Sequence, residues 1–101
     1  MKSIRKSYPG ISDLRLDLFL KASRLVKRRT LAHEFCQRGW IEVNGTRSKP
    51  GRDLKPGDRI ILHLGSHRKE IEILEIPQGN VSAKEVHRLY KILSDLPEYQ
   101  N

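Results

Sequence analysis

RLDLFLKASRLVKRRTLA, residues 15–32, decides how this chain folds. Together with Leu14, the residues Leu18, Phe19, Ala22, Leu25 and Val26 recur at helical spacing. That spacing predicts an amphipathic helix from Leu14 to about Val26. Ser12 or Asp13 is its expected N-cap, and Asp17 and Lys21 stand at i, i+4, the favourable order for a surface ion pair. A second helix is predicted over Arg28–Arg38, with Leu31, Ala32 and Phe35 facing inward and Gly39 as its left-handed stop. Two helices meeting near Arg24–Lys27 make a helical hairpin that gathers basic residues on one edge. Lys27, Arg28 and Arg29 fall where the second helix begins. A helix N-terminus already carries roughly half a positive charge, so each cation there costs on the order of 0.3–1 kcal/mol. Its free N–H groups favour anions. Such crowding makes physical sense when a phosphate sits among the cations.

Downstream, the pattern changes to β structure. Trp40-Ile41-Glu42-Val43 alternates as a short strand and runs into Asn44-Gly45, a strong tight-turn signal. Lys55-Pro56-Gly57-Asp58 is a second turn, leading into the strand Arg59-Ile60-Ile61-Leu62-His63-Leu64. After a reversal at Gly65–Lys69, Glu70-Ile71-Glu72-Ile73 alternates as a half-exposed strand that Pro77 ends. Ser82 and Glu85 have capping-box spacing, and Val86, Leu89, Tyr90 and Leu93 form an apolar stripe before Pro97. A C-terminal helix is therefore expected over residues 80–97. Upstream, residues 1–13 mix basic and turn-forming residues and read as a basic extension. The expected organisation is that extension, a domain over residues 14–77, and the C-terminal helix. The fold class is α+β, a two-helix hairpin packed on a small antiparallel sheet.

The charge balance points the same way. The 101 residues carry 20 Lys+Arg against 12 Asp+Glu, a net charge of +8, with pI near 10.0. A pI above about 9 is the electrostatic footprint of a nucleic-acid binder. Residues 15–38 concentrate the surplus: seven cations (Arg15, Lys21, Arg24, Lys27, Arg28, Arg29, Arg38) face two anions (Asp17, Glu34). Placement on one helical region, rather than net charge alone, favours RNA or DNA over a merely soluble basic surface. Cys36 is the only cysteine, which forbids an intramolecular disulfide and fits a reducing compartment. No apolar stretch is long enough for a signal-peptide core or a membrane span, and a cytoplasmic location is expected.

The candidate contacts are Arg15, Arg24, Lys27, Arg28, Arg29 and Arg38, joined by Lys49 and Arg52 in the loop after the Asn-Gly turn. Arginine suits phosphate because its planar fork donates two parallel hydrogen bonds and also stacks on bases. A solvated basic face is the plainer alternative, and Arg15 or Arg24 has Asp17 or Glu34 as a possible ion-pair partner. Trp40 either stacks on an unpaired base or packs beside the helix stop. His33, His63, His67 and His87 lack metal-ligand spacing, and Cys36 has no second thiol. There is no P-loop, dinucleotide fingerprint or serine elbow. No enzyme activity, cofactor or metal is expected.

Residues 15–32, then GWIEVNG (39–45), then KPGRDLKPGDRI (49–60), together resemble the S4 RNA-binding domain, named after a protein of the small ribosomal subunit. The resemblance covers about residues 14–76. It implies two helices on a small antiparallel sheet, with the helix edge against structured RNA, and it places Arg15, Arg28 and Arg29 at RNA-contacting positions. S4 domains usually have Ser where this chain has Arg28, so extra charge replaces the normal cap. KASRLVKRRTLA (21–32) and NGTRSKP (44–50) resemble small free-standing branches of the family. Those branches bind large ribosomal subunits carrying an obstructed peptidyl-tRNA and contact ribosomal RNA and tRNA. One branch supports alanine tailing of the stalled chain by a partner that delivers alanyl-tRNA. The expectation is such a factor, a monomer when free. The rival readings are a structural or assembly protein of the ribosome, and a protein-interaction adapter acting through the C-terminal helix.

Overall fold

The computed structural model describes residues 14–77 and 81–97. The basic extension and both expected caps, Ser12 and Asp13, lie outside the described residues. A short strand β1 (Leu14–Arg15) leads directly into α1 (Leu16–Ala22), and α2 (Arg29–Gln37) follows. Then come β2 (Ile41–Val43), β3 (Thr46–Arg47), β4 (Asp53–Leu54), β5 (Arg59–Leu64), β6 (His67–Ile73), a 3-10 turn at Val86–Arg88 and β7 (Tyr90–Pro97). Strands β3-β2-β5-β6-β7 lie in that order in one antiparallel sheet, while β1 and β4 pair separately.

The helix predicted over Leu14–Val26 is trimmed at both ends, each for a local reason. Leu14 and Arg15 pair with Leu54 and Asp53 instead of joining the helix. The first N–H groups of α1 donate to main-chain carbonyls: Leu16 to Arg52 at 2.8 Å and Asp17 to Pro50 at 3.1 Å. The loop before β4 thereby satisfies donors that a side-chain cap would otherwise satisfy. At the other end Arg24 turns left-handed (φ 64°), and the Val26 N–H reaches back to the Leu20 carbonyl at 3.0 Å. That closure drives Val26 into the core.

The second helix agrees closely with its prediction and ends in a Schellman motif. Gly39 (φ 79°) donates to Cys36 and Trp40 donates to Phe35, both at 3.0 Å. This geometry brings Phe35 and Trp40 together, with ring centroids 5.2 Å apart, the apolar contact that usually accompanies the motif. Asn44 (φ 53°) and Gly45 (φ 88°) form the tight β2–β3 turn as predicted. The Asn44 amide then donates to Asp58 at 3.1 Å and accepts from the Arg59 N–H at 3.0 Å, tying that turn to the start of β5.

One apolar cluster joins the two layers. Leu16, Phe19 and Leu20 of α1 and Ala32 and Cys36 of α2 meet the inward side chains of the sheet: Ile41, Val43, Ile60, Leu62, Ile71 and Ile73. Alternation along β2, β5 and β6 supplies that inner face, as period-2 patterning requires.

The predicted C-terminal helix over residues 80–97 is corrected by the structure. The Ser82/Glu85 signal yields only a turn, in which the Glu85 N–H donates to the Ser82 carbonyl at 2.9 Å, followed by the single 3-10 turn. Residues 90–97 are a strand paired along β6 from Ile73↔Tyr90 to His67↔Pro97, with a bulge at Glu70/Ile71. Without it β6 would expose a row of unpaired N–H and C=O groups, and filling that edge outweighs the weak local helix signal. Of the expected stripe, Leu89 alone is buried. The segment is thus part of the same sheet rather than a separate helical unit.

Candidate nucleic-acid interface

The site is organised around Asp17, a carboxylate buried in the first turn of α1. Its expected pairing with Lys21 does not occur. Arg15 donates to both its oxygens, Nε to Oδ1 at 3.1 Å and Nη2 to Oδ2 at 3.0 Å, and Arg29 Nε donates to Oδ2 at 3.4 Å. The Asp17 side chain is 0% exposed, whereas those of Arg15 and Arg29 are 43% and 51% exposed. Burial by itself would push the Asp17 carboxyl up, but the hydrogen bond and charge of Arg15, with Arg29 behind them, hold it below the usual carboxylate range. The hydrogen bond and charge of Asp17 in turn raise the Arg15 pKa. A buried anion so placed fixes two half-exposed guanidinium groups on the protein surface. Arg29 reaches it from α2 and Arg15 from the end of β1, so the ion pairs also clamp the helical hairpin to the β1–β4 ladder.

Beside this pair lies the start of α2. Arg28 is its N-cap with extended backbone, no side chain caps the helix, and no acidic residue occupies its first turn. Arg24, Lys27 and Arg28 are exposed and make no ion pair with any described residue. The serine absent from this cap position leaves donors and charge together at one edge, as the sequence pattern implied.

A second group surrounds an open cleft of about 1000 Å³ between the end of α2 and the loop leading to β4. Arg38, Lys49 and Arg52, all named from sequence, line it. So does Arg47, which sequence reasoning missed: alone on a two-residue strand, it belongs to no run of charge. A signal was available in Gly39. A Cβ at that position would lie 3.2 Å from Arg47 Cδ and Nε, so the glycine stop of α2 also makes room for the Arg47 side chain. Arg38 is committed to Glu34 (2.8 Å) and sits over the Trp40 ring at 5.4 Å. Trp40 thus packs between Phe35 and Arg38, which favours the packing alternative for this residue. Cys36 lines the cleft as a neutral thiol, pushed up to about 11 by burial and by the charge of Asp17.

The two groups adjoin. A Cβ on Gly51, in the cleft wall, would lie 3.7 Å from Arg15 Cζ, so the Asp17-anchored arginine abuts the loop carrying Lys49 and Arg52. Together they form one basic surface, from the start of α2, across Arg29 and Arg15, into the cleft. No cluster of His, Cys, Asp or Glu suited to a metal occurs among the described residues.

Comparison with known proteins matches the S4 domain over residues 14–60. A protein of Halalkalibacterium halodurans named "RQC P-site tRNA stabilizing factor" is 42% identical over 84 residues, covering 83% of this chain and 94% of that protein. This chain belongs to the S4-domain family. The Bacillus subtilis family member of the same name is 39% identical over 82 residues, covering 81% of this chain and 94% of its own. Among solved structures, the trimeric Heat Shock Protein 15 of Vibrio cholerae superposes with a TM-score of 0.77 at 34% identity, covering 82% of this chain and 84% of that one. All the cations of the basic surface fall inside the matched S4 region, whereas β6 and β7 lie beyond it.

Proposed function

We propose that this protein is a non-enzymatic RNA-binding factor that docks on the large ribosomal subunit and stabilises peptidyl-tRNA on stalled subunits. In this reading it contacts ribosomal RNA and tRNA and supports alanine tailing or recycling of the obstructed chain. Alanyl-tRNA arrives through a separate tailing factor. The protein works in the cytoplasm and is a monomer when free. The observation that carries the reading is the cluster of cations Lys27 and Arg28, without an ionic partner among the described residues, at an uncapped helix start, continuous with arginines locked on Asp17. The names of its family relatives, P-site tRNA stabilizing factors, supply the direction. Fixed guanidinium groups and rigid helix donors suit recognition of folded RNA by shape and phosphate position, with little base readout.

Sedimentation with purified ribosomal subunits across a salt series tests this. Lys27→Ala/Arg28→Ala is the informative variant, because both side chains are exposed, whereas removing Arg29 would also take away one of the two partners of buried Asp17. The expected result is association with the large subunit that weakens with salt. The variant should bind more weakly, with a log–log salt slope shallower by roughly 1.5–2, as for the loss of two phosphate contacts. Equal binding by wild type and variant would remove these cations from the interface. Stoichiometric presence on every ribosome would instead indicate a structural ribosomal component.

A further inference from the structure

The cleft at the end of α2 differs in character from the helix edge. Its volume, about 1000 Å³, lies at the upper end of what small-molecule sites offer, roughly 300–1,000 Å³, so a nucleotide-sized group fits inside it. Among the described residues four cations line it, Arg38, Arg47, Lys49 and Arg52, and no carboxylate does. Cys36 and Pro50 contribute apolar wall, and the thiol adds no negative charge near neutrality. Arg47 lies along the backbone of Gly39, its guanidinium carbon within 3.3 Å of where a Cβ would stand. Arg38 is held by Glu34 and stacked on Trp40, which leaves Arg47, Lys49 and Arg52 without an ionic partner among the described residues.

A concave site of mixed cationic and apolar lining does not suit the outside of an RNA duplex, which is convex and keeps its base faces stacked. It suits an unpaired nucleotide, whose phosphates meet the cations while its base lies against arginine planes and apolar wall. We propose that the cleft receives an unpaired nucleotide of the bound RNA, with the flanking phosphates held by Arg47, Lys49 and Arg52. The helix edge grips structured RNA, and the cleft makes the contact that requires a loop or bulge. This inference rests on the proposed RNA-binding role and specifies which part of an RNA the second half of the basic surface takes.

The test uses the full chain and two fluorescently labelled RNAs, a hairpin with an unpaired loop and a blunt duplex of the same stem, measured by anisotropy at fixed salt. Wild type is expected to prefer the hairpin by about tenfold, the scale of one base-stacking contact. Arg47→Ala should lose most of that preference while duplex affinity stays within about twofold, and Lys49→Ala/Arg52→Ala should do the same. Melting curves of each variant establish that it folds. The proposal is overturned if wild type shows no hairpin preference, if neither variant reduces it, or if an acidic peptide displaces the hairpin as well as unlabelled hairpin does. The last result would assign the cleft to a protein. The two proposals also fail separately. Loss of subunit binding in Lys27→Ala/Arg28→Ala, with the hairpin preference insensitive to Arg47, removes the cleft and keeps the ribosomal role. An Arg47-dependent hairpin preference without subunit association does the reverse.

Discussion

Asp17 carries two burdens, one structural and one electrostatic. As a buried carboxylate it requires charged partners, and Arg15 and Arg29 supply them from residues two and twelve positions away. Because the partners are half exposed, the pairs sit closer to charge-assisted hydrogen bonds than to a fully buried ion pair. Replacing the carboxylate by Asp17→Asn should therefore cost about 1–3 kcal/mol, measured by urea denaturation at pH 7. The pH dependence follows from its depressed pKa. The unfolded side chain titrates near 3.8 and the folded one lower, so the unfolded state binds protons first as pH falls. The contribution is complete above that unfolded value and is lost as pH drops through the folded value. Wild type should lose stability below about pH 4, and the Asp17→Asn variant should lack that component of the loss. Equal pH slopes for the two proteins would show that folding does not lower the Asp17 pKa. The sequence suggested a different partner for this residue. Lys21 stands at a favourable local spacing, but a local pattern carries no information on burial, and burial selected the two arginines that surround the carboxylate.

At the scale of elements, what could be read from sequence was set by how local the deciding physics is. The Gly39 stop and the Asn44-Gly45 turn were legible because each needs positive φ at a defined position, and few residues adopt it cheaply. Arg24 occupies the same region of backbone space without glycine's freedom, so the early end of α1 left no compositional mark. The C-terminal segment departs from its local helix signal for the opposite reason. Ser82, Glu85 and the stripe through Leu89 are a sound local helix signal, but the open edge of β6 is a tertiary fact. The cleft was half legible, since Arg38, Lys49 and Arg52 stand out as charges whereas Arg47 is recognised only through its packing on Gly39. Gly39 joins these elements, which makes it a useful probe. Gly39→Ala places a Cβ at φ 79° and 3.2 Å from the Arg47 side chain. Thermal melting should show a loss of about 1–2 kcal/mol from backbone strain. The same variant should weaken hairpin binding in the direction of Arg47→Ala, since the guanidinium must shift to admit the methyl group.

For the whole molecule, the basic surface lies on the helices and the β2–β4 region, and the sheet continues away from it through β5 and β6 to β7. The two ends of the sheet are chemically different. β7 carries exposed Ile92 and Leu96, while Leu89, just before it, is 3% exposed within the common core. Leu89 also binds the sheet through its carbonyl, which accepts the Leu74 N–H at 2.8 Å. If residues 81–97 form part of the folding unit, a core substitution there must lower global stability. Leu89→Ala should cost about 2–4 kcal/mol, the range for an aliphatic side chain removed from a packed site. A surface change in the same segment, Ile92→Ser, should stay within about 0.5 kcal/mol. An independently attached segment predicts the reverse for Leu89: the main transition would stay in place, and amide exchange along β6 would speed up only at its outer side. Chemical denaturation of both variants, with hydrogen exchange read at Ile71 and Ile73, separates the cases. A cooperative loss in Leu89→Ala would establish that the sheet beyond the S4 region folds as one unit with the two helices, through the core that Leu89 shares with Ile71 and Ile73.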